Sequence, residues 1–176
     1  MGASGHRDGR TISGKHYLIF LTLGTQLPFD RLVRALDEVS TSLSEPVFGQ
    51  IGHAKYRPGN FESVKFLSPQ EFDAHCTAAR VIVGHAGIGT ILTGMELHKP
   101  VVLMARQAAL GEHRNNHQLA TVAQLSRISG IHVVDDAKSL REALADPELA
   151  PITMESSPAR DQLVASLRQE ITGHAY

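Results

Sequence analysis

The chain has 176 residues, of which 42% are hydrophobic and 20% charged, and a formal net charge of -1. Its length fits one domain with tails, with enough apolar material for a sizeable core. The charge balance gives no electrostatic reason to expect nucleic acid, and 5% aromatics without tryptophan gives no stacking surface for single strands. No apolar run approaches a transmembrane length, and the N-terminus lacks the apolar core of a signal peptide. A single cysteine, Cys76, suits a reducing compartment. The expectation is therefore a cytoplasmic protein.

Residues 1–15 are rich in Gly, Ser and charge with no apolar period, and are expected to form a disordered tail ahead of a single domain over 16–176. Tyr17–Leu23 is a near-continuous apolar run, which reads as a strand buried on both faces. Gly24, Thr25 and Gln26 follow as a turn. Pro28 stands near a helix start, and Phe29, Leu32, Val33, Leu36 and Val39 fall at helical spacing. Pro46–Gly52 and Ser63–Leu67 read as further strands. Ser68-Pro69-Gln70-Glu71 supplies an N-cap, a proline at the first helical position and an acidic first turn.

The strand Val81-Ile82-Val83 breaks into Gly84-His85-Ala86-Gly87-Ile88-Gly89-Thr90, which runs straight into a helical pattern carrying Ile91, Leu92 and Met95. A strand, a glycine turn and a helix N-terminus make an anion site, because first-turn N–H groups lack partners and the helix dipole is positive there. The expected ligand carries a phosphate at Gly87–Thr90. A purely structural tight turn would use the same residues. The dinucleotide fingerprint is absent, since Leu92 stands where its third glycine should be, and so is the phosphate loop ending in G-K-[ST]. His85 lies where its ring could face a ligand or satisfy a backbone carbonyl.

Val101–Met104 is another strand. The cluster Gly111-Glu112-His113-Arg114-Asn115-Asn116-His117-Gln118 leads into a helix with Leu119, Val122 and Leu125. A zinc site needs a third ligand and the H-E-x-x-H order, and this cluster has neither. Amides beside imidazoles instead offer the paired donors and acceptors that a hydroxyl-rich ligand requires, with a polar surface helix start as the plainer reading. Ile131–Val134 is a last strand and Leu163–Ile171 a closing amphipathic helix; the pair Asp135-Asp136 reads as an N-cap for a helix near Ser139–Ala145, although paired acids could also bind magnesium with a nucleotide. Cys76 reads as core, not as a nucleophile. Strands alternating with helices predict an α/β fold, a doubly wound parallel sheet whose ligand binds at the carboxyl ends of the strands.

The stretch GHAGIGTILTGMELHKPVVLMARQAALGEHRNNHQLATVAQL resembles the C-terminal, donor-binding domain of family 28 glycosyltransferases. It is more similar still to the small single-domain versions that act as one subunit of a two-part transferase, including those of exopolysaccharide synthesis. In these, H-A-G-x-G-[ST] and G-E-H-R-N-x-H-Q blocks occur together. The likeness runs from about Tyr17 to Leu125.

That resemblance implies the Rossmann-like half of a GT-B glycosyltransferase, binding a UDP-sugar without metal or other cofactor. Gly24, Thr25 and Gln26 would border the diphosphate, and His85, Ala86, Gly87, Gly89 and Thr90 would hold it. Asn116, His117 and Gln118, with Glu112 beside them, would face the sugar hydroxyls. Arg106 or Arg114 would suit a glucuronate carboxylate. Thr93 stands where many two-domain members carry a ribose-contacting glutamate. His85 is the candidate catalytic group unless the base comes from a partner. The implied reaction is inverting transfer to a lipid-linked acceptor in exopolysaccharide or glycolipid synthesis. The acceptor would be held by a membrane-associated partner subunit, which would bring the chain to the inner face of the membrane. A non-catalytic nucleotide-sugar sensor or scaffold on the same fold is the competing reading.

Overall fold

The computed structural model describes residues 18–112 and 128–153. The expected N-terminal tail, the helix after Gly111 and the closing helix all lie outside the described residues. Strands β1 (Ile19–Thr22), β2 (Val47–Gln50), β3 (Glu62–Val64), β4 (Val81–His85), β5 (Val101–Met104) and β6 (Ile131–Val134) form one six-stranded sheet. Its order is β3-β2-β1-β4-β5-β6, and each neighbouring pair is parallel. Helices α1 (Asp30–Ser40), α2 (Pro69–Ala78), α3 (Ile88–Glu96) and α4 (Ala137–Ala145) connect or follow the strands.

Alternation along the central strands feeds two faces. Ile19, Leu21, Val81, Val83, Val102 and Met104 pack with Leu32, Leu36, Leu140 and Leu144 of α1 and α4. Phe20 and Ile82 pack with Cys76 of α2, while Val101 and Leu103 pack with Ile91 of α3. Strands flanked by helices on both faces must be apolar throughout, which is why β1, β4 and β5 read as unbroken apolar runs. Cys76 is buried, and burial followed by the nearby Asp73 charge pushes its thiol up to about 12. It is a core residue, as its helical position suggested.

The expected caps form as the residue types require. Ser68 accepts the Glu71 N–H while the Glu71 carboxylate accepts the Ser68 N–H, and Asp136 and Ser139 make the same reciprocal pair before α4. The strand expected over Ser63–Leu67 is shorter and ends at Val64. There the Leu67 N–H turns aside to the Gln50 side-chain oxygen at 2.9 Å, which frees Phe66 from the sheet.

Sheet order reverses between β1 and β4. In such sheets a crevice opens beyond the carboxyl ends of the two strands at the reversal. The segments that leave those ends begin at Leu23 and at Ala86.

Candidate functional site

The turn after β1 needs glycine, because Gly24 has φ of +71°. Its N–H donates to Thr22 Oγ1 at 3.5 Å, and the Arg106 guanidinium pins the rest of the turn through Leu23 O (3.1 Å) and Leu27 O (2.7 Å). Arg106 is only 3% exposed. Burial lowers its pKa to about 10, against the raising influence of Glu112, so it remains a cation at neutral pH.

β4 ends at His85, and Gly87 caps α3 without any side-chain hydrogen bond. A side chain at Gly87 would collide with the His85 imidazole, and one at Gly24 would meet the same ring at 3.0 Å. His85 is thus wedged between the two turns. Gly84 lets α3 approach the sheet, since a Cβ there would lie 2.9 Å from Thr22 O and 3.0 Å from Thr90 Cγ2. A Cβ on Gly89 would meet nothing within 4 Å. The start of α3 therefore faces open space, with its first-turn N–H groups beyond the reach of intrahelical acceptors.

That space is a cleft of about 770 Å³. It gathers Gly24, Thr25, Gln26, His85, Gly87, Gly89, Thr90, Thr93 and Arg106 from the residues that the sequence singled out. The Thr93 hydroxyl donates to Gly89 O at 2.9 Å, which leaves its oxygen lone pairs for a ligand donor. Ala86 does not line the cleft; it is buried against Ile91 and Leu103 on the α3 side of the sheet. Glu112 does not line it either. Both of its carboxylate oxygens accept from Arg31, at 2.8 and 2.9 Å, and one also accepts the Gln107 N–H at 3.0 Å. Asn116, His117 and Gln118 lie outside the described residues, as does Arg114. Among the described residues, no group of three or more His, Cys, Asp or Glu side chains is gathered to hold a metal ion.

The opposite wall was missed by sequence reasoning. Phe66, Leu67, Phe72 and Asp73 line the cleft from the segment after β3 and the start of α2. Phe66 is 45% exposed and meets His53 edge to face, with ring centroids 5.3 Å apart. The available signal was topological: the carboxyl end of β3 lies on the same edge as those of β1 and β4. The cleft thus has one end built from glycine turns and a helix N-terminus, and another where Phe66, Leu67 and Phe72 stand with the exposed Asp73 carboxylate.

The profile of the glycosyltransferase family 28 C-terminal domain matches residues 18–162. The chain belongs to that family. Among solved structures, the glycotransferase of kitacinnamycin superposes with a TM-score of 0.60 at 24% identity, covering 99% of this chain and 44% of that one. ALG13, solved by NMR, gives a TM-score of 0.59 at 16% identity, covering 85% of this chain and 95% of that one. MurG of Acinetobacter baumannii gives 0.57 at 18% identity, covering 80% and 44%. No curated protein sequence matches the chain. The family 28 domain described here thus spans 44% of the kitacinnamycin enzyme's length and nearly all of ALG13. At these identities the likeness is one of fold, the Rossmann-like half of a GT-B glycosyltransferase. Among its described residues, no helix is long and apolar enough to cross a membrane.

Proposed function

We propose that this family 28 domain binds the donor of a UDP-sugar transferase in the cleft at the β1–β4 reversal. The observation that carries the reading is the pairing of the cleft's two ends. The α3 N-terminus and the glycine turns suit a diphosphate, and Phe66, Leu67 and Phe72 suit a nucleobase. Gly24, Thr25 and Gln26 would border the diphosphate from β1, with Gly87, Gly89 and Thr90 holding it from α3. Thr93 would accept from the ribose. Asn116, His117 and Gln118 are assigned to the sugar hydroxyls on the family pattern alone.

The reaction is inverting transfer. An acceptor hydroxyl attacks the anomeric carbon, the bond from that carbon to the diphosphate oxygen breaks, and UDP leaves with the bonding pair. The hydroxyl proton passes to a base, for which His85 is this chain's candidate. Charge that develops on the departing diphosphate is stabilised by the α3 N–H groups, which need no reorganisation as it forms.

The acceptor is assigned to a second, membrane-associated subunit presenting a lipid-linked hydroxyl, for surface polysaccharide or glycolipid synthesis. Support comes from the sequence blocks His85-Ala86-Gly87-Ile88-Gly89-Thr90 and Gly111–Gln118, which resemble those of small subunits of two-part transferases.

Calorimetric titration with UDP, UDP-glucose, UDP-galactose, UDP-glucuronate and UDP-N-acetylglucosamine tests the donor reading. Binding of UDP, strengthened by one of the sugars, supports it and names the donor. Absence of binding both alone and with a co-expressed partner rejects it. Efficient transfer to lipid acceptor by the chain alone rejects the partner requirement.

A further inference from the structure

Phe29 is fully buried, and two guanidinium groups lie over its ring. Arg31 Cζ is 5.3 Å from the ring centroid and Arg106 Cζ is 5.2 Å. The two arginines reach in opposite directions. Arg106, from the segment after β5, donates to Leu23 O and Leu27 O of the turn after β1. Arg31, which follows that turn on α1, reaches back to the segment after β5. Its Nη2 donates to Ala105 O at 2.8 Å, and its fork engages both oxygens of Glu112. Its Nη1 donates to Asp135 O at 3.0 Å, beyond β6. Glu112 closes the segment on itself, accepting the Gln107 N–H at 3.0 Å while its own N–H donates to Gln107 O at 3.2 Å.

Each of the two segments thus lends an arginine to the other, across one aromatic ring. Surface loops at strand ends are the most mobile parts of such folds unless they are tied. The cleft wall at Gly24–Leu27 is held by Arg106, and the segment carrying Arg106 is held by Arg31. Arg31 does not itself line the cleft. We propose that Arg31 is a positioning residue for the nucleotide cleft: it fixes Glu112 and Ala105, through them Arg106, and through Arg106 the Gly24–Leu27 wall. The inference rests on the donor-binding reading above for its ligand, and on geometry alone for the mechanical link.

Lysine keeps the charge at position 31 but offers a point donor in place of a fork that bridges Glu112, Ala105 and Asp135. The control is Arg80→Lys. Arg80 is an equally bonded arginine near the opposite ends of the strands, held by Glu45, Leu144 O and Asp146 O. Both variants are expected to lower the denaturation midpoint. Only Arg31→Lys should speed hydrogen exchange at the Gly24 amide, and only it should raise the dissociation constant for UDP, by about tenfold, the equivalent of one well-placed hydrogen bond. Glu112→Gln should give the same pattern at smaller size, and it replaces Arg31→Lys if that variant does not fold.

Unchanged Gly24 exchange in both position-31 and position-112 variants overturns the proposal. So does an equal change in Arg80→Lys. If the wild-type chain fails to bind UDP both alone and with a co-expressed partner, the donor reading falls, and the Gly24 exchange comparison still decides the mechanical link.

Discussion

The His85 imidazole occupies the space that a side chain on Gly87 would need. His85 ends β4 and Gly87 caps α3, so the ring's position and the helix's approach are set together. Gly89, two residues on, faces open space. The two glycines should therefore respond oppositely to alanine. Gly87→Ala must displace His85 or the cap, and an overpacking cost of about 1–3 kcal/mol is expected in denaturant unfolding. Gly89→Ala should leave stability unchanged or raise it by about 0.5–1 kcal/mol, because alanine is the better helix residue. Its methyl group would nevertheless stand at the mouth of the proposed diphosphate site, so UDP affinity should fall while the fold holds.

At the other end of the sheet, Arg80 and Glu45 form a bidentate pair whose shortest contacts are 2.7 Å, with side chains only 9% and 16% exposed. The same guanidinium accounts for the Leu144 and Asp146 carbonyls at the end of α4. Arg80→Ala leaves a mostly buried carboxylate and two carbonyls without their donor. A loss of about 3 kcal/mol is expected, toward the lower end for broken buried pairs because some solvent reaches this one. Nucleotide binding should be unaffected, since the pair is remote from the strand ends that form the cleft. Urea unfolding of the variant beside a UDP titration checks both statements.

How much of this was legible beforehand depends on how local each signal is. The β4–glycine–α3 unit was readable because strand, turn and helix start are contiguous between Val81 and Glu96. The Ser68 cap was readable for the same reason, and so was a cap at Asp135-Asp136, which Asp136 supplies. Phe66 was not, because Ser63–Leu67 carries a strand-like apolar pattern. What releases Phe66 is the Gln50 side chain on a neighbouring strand, which takes the Leu67 N–H. Glu112 looked like a ligand group because it sits in a polar block. Its partner, Arg31, is 81 residues away in sequence, and nothing near either residue announces the pair.

Asp37 gives a pH signature that is independent of the cleft. It is a buried carboxylate on α1 that accepts from the Tyr56 hydroxyl at 2.6 Å, the Asn60 N–H at 2.8 Å and the Gly59 N–H at 3.1 Å. Burial pushes its pKa up, but the bonds from Tyr56, Asn60 and Gly59 together outweigh it, and the net shift is downward. A carboxyl with a depressed folded-state pKa binds its proton more readily when unfolded. Its stabilisation is therefore present above the unfolded value of about 3.9 and lost as pH falls through the lower folded value. Asp37→Asn should be less stable than wild type at neutral pH by about 2 kcal/mol, as expected for hydrogen bonds to a charged acceptor. The gap should close below about pH 4. Thermal melts of both proteins from neutral to acid pH would show it, and a gap independent of pH would contradict the assignment.

Phe66 separates ligand contact from folding most cleanly, because its ring is 45% exposed at the cleft wall and lies outside the three buried clusters. Truncating it should cost under 1 kcal/mol, far less than the 3–5 kcal/mol of a core phenylalanine such as Phe20. If a nucleobase stacks on it, Phe66→Ala should weaken UDP by about tenfold, in line with base–aromatic stacking of about 1–3 kcal/mol. Phe66→Tyr keeps the ring face and should bind nearly as well as wild type. Inorganic pyrophosphate, which has no base, should bind wild type and Phe66→Ala equally. An alanine variant that weakens pyrophosphate and UDP alike would mean that the ring shapes the whole cleft and does not receive the base.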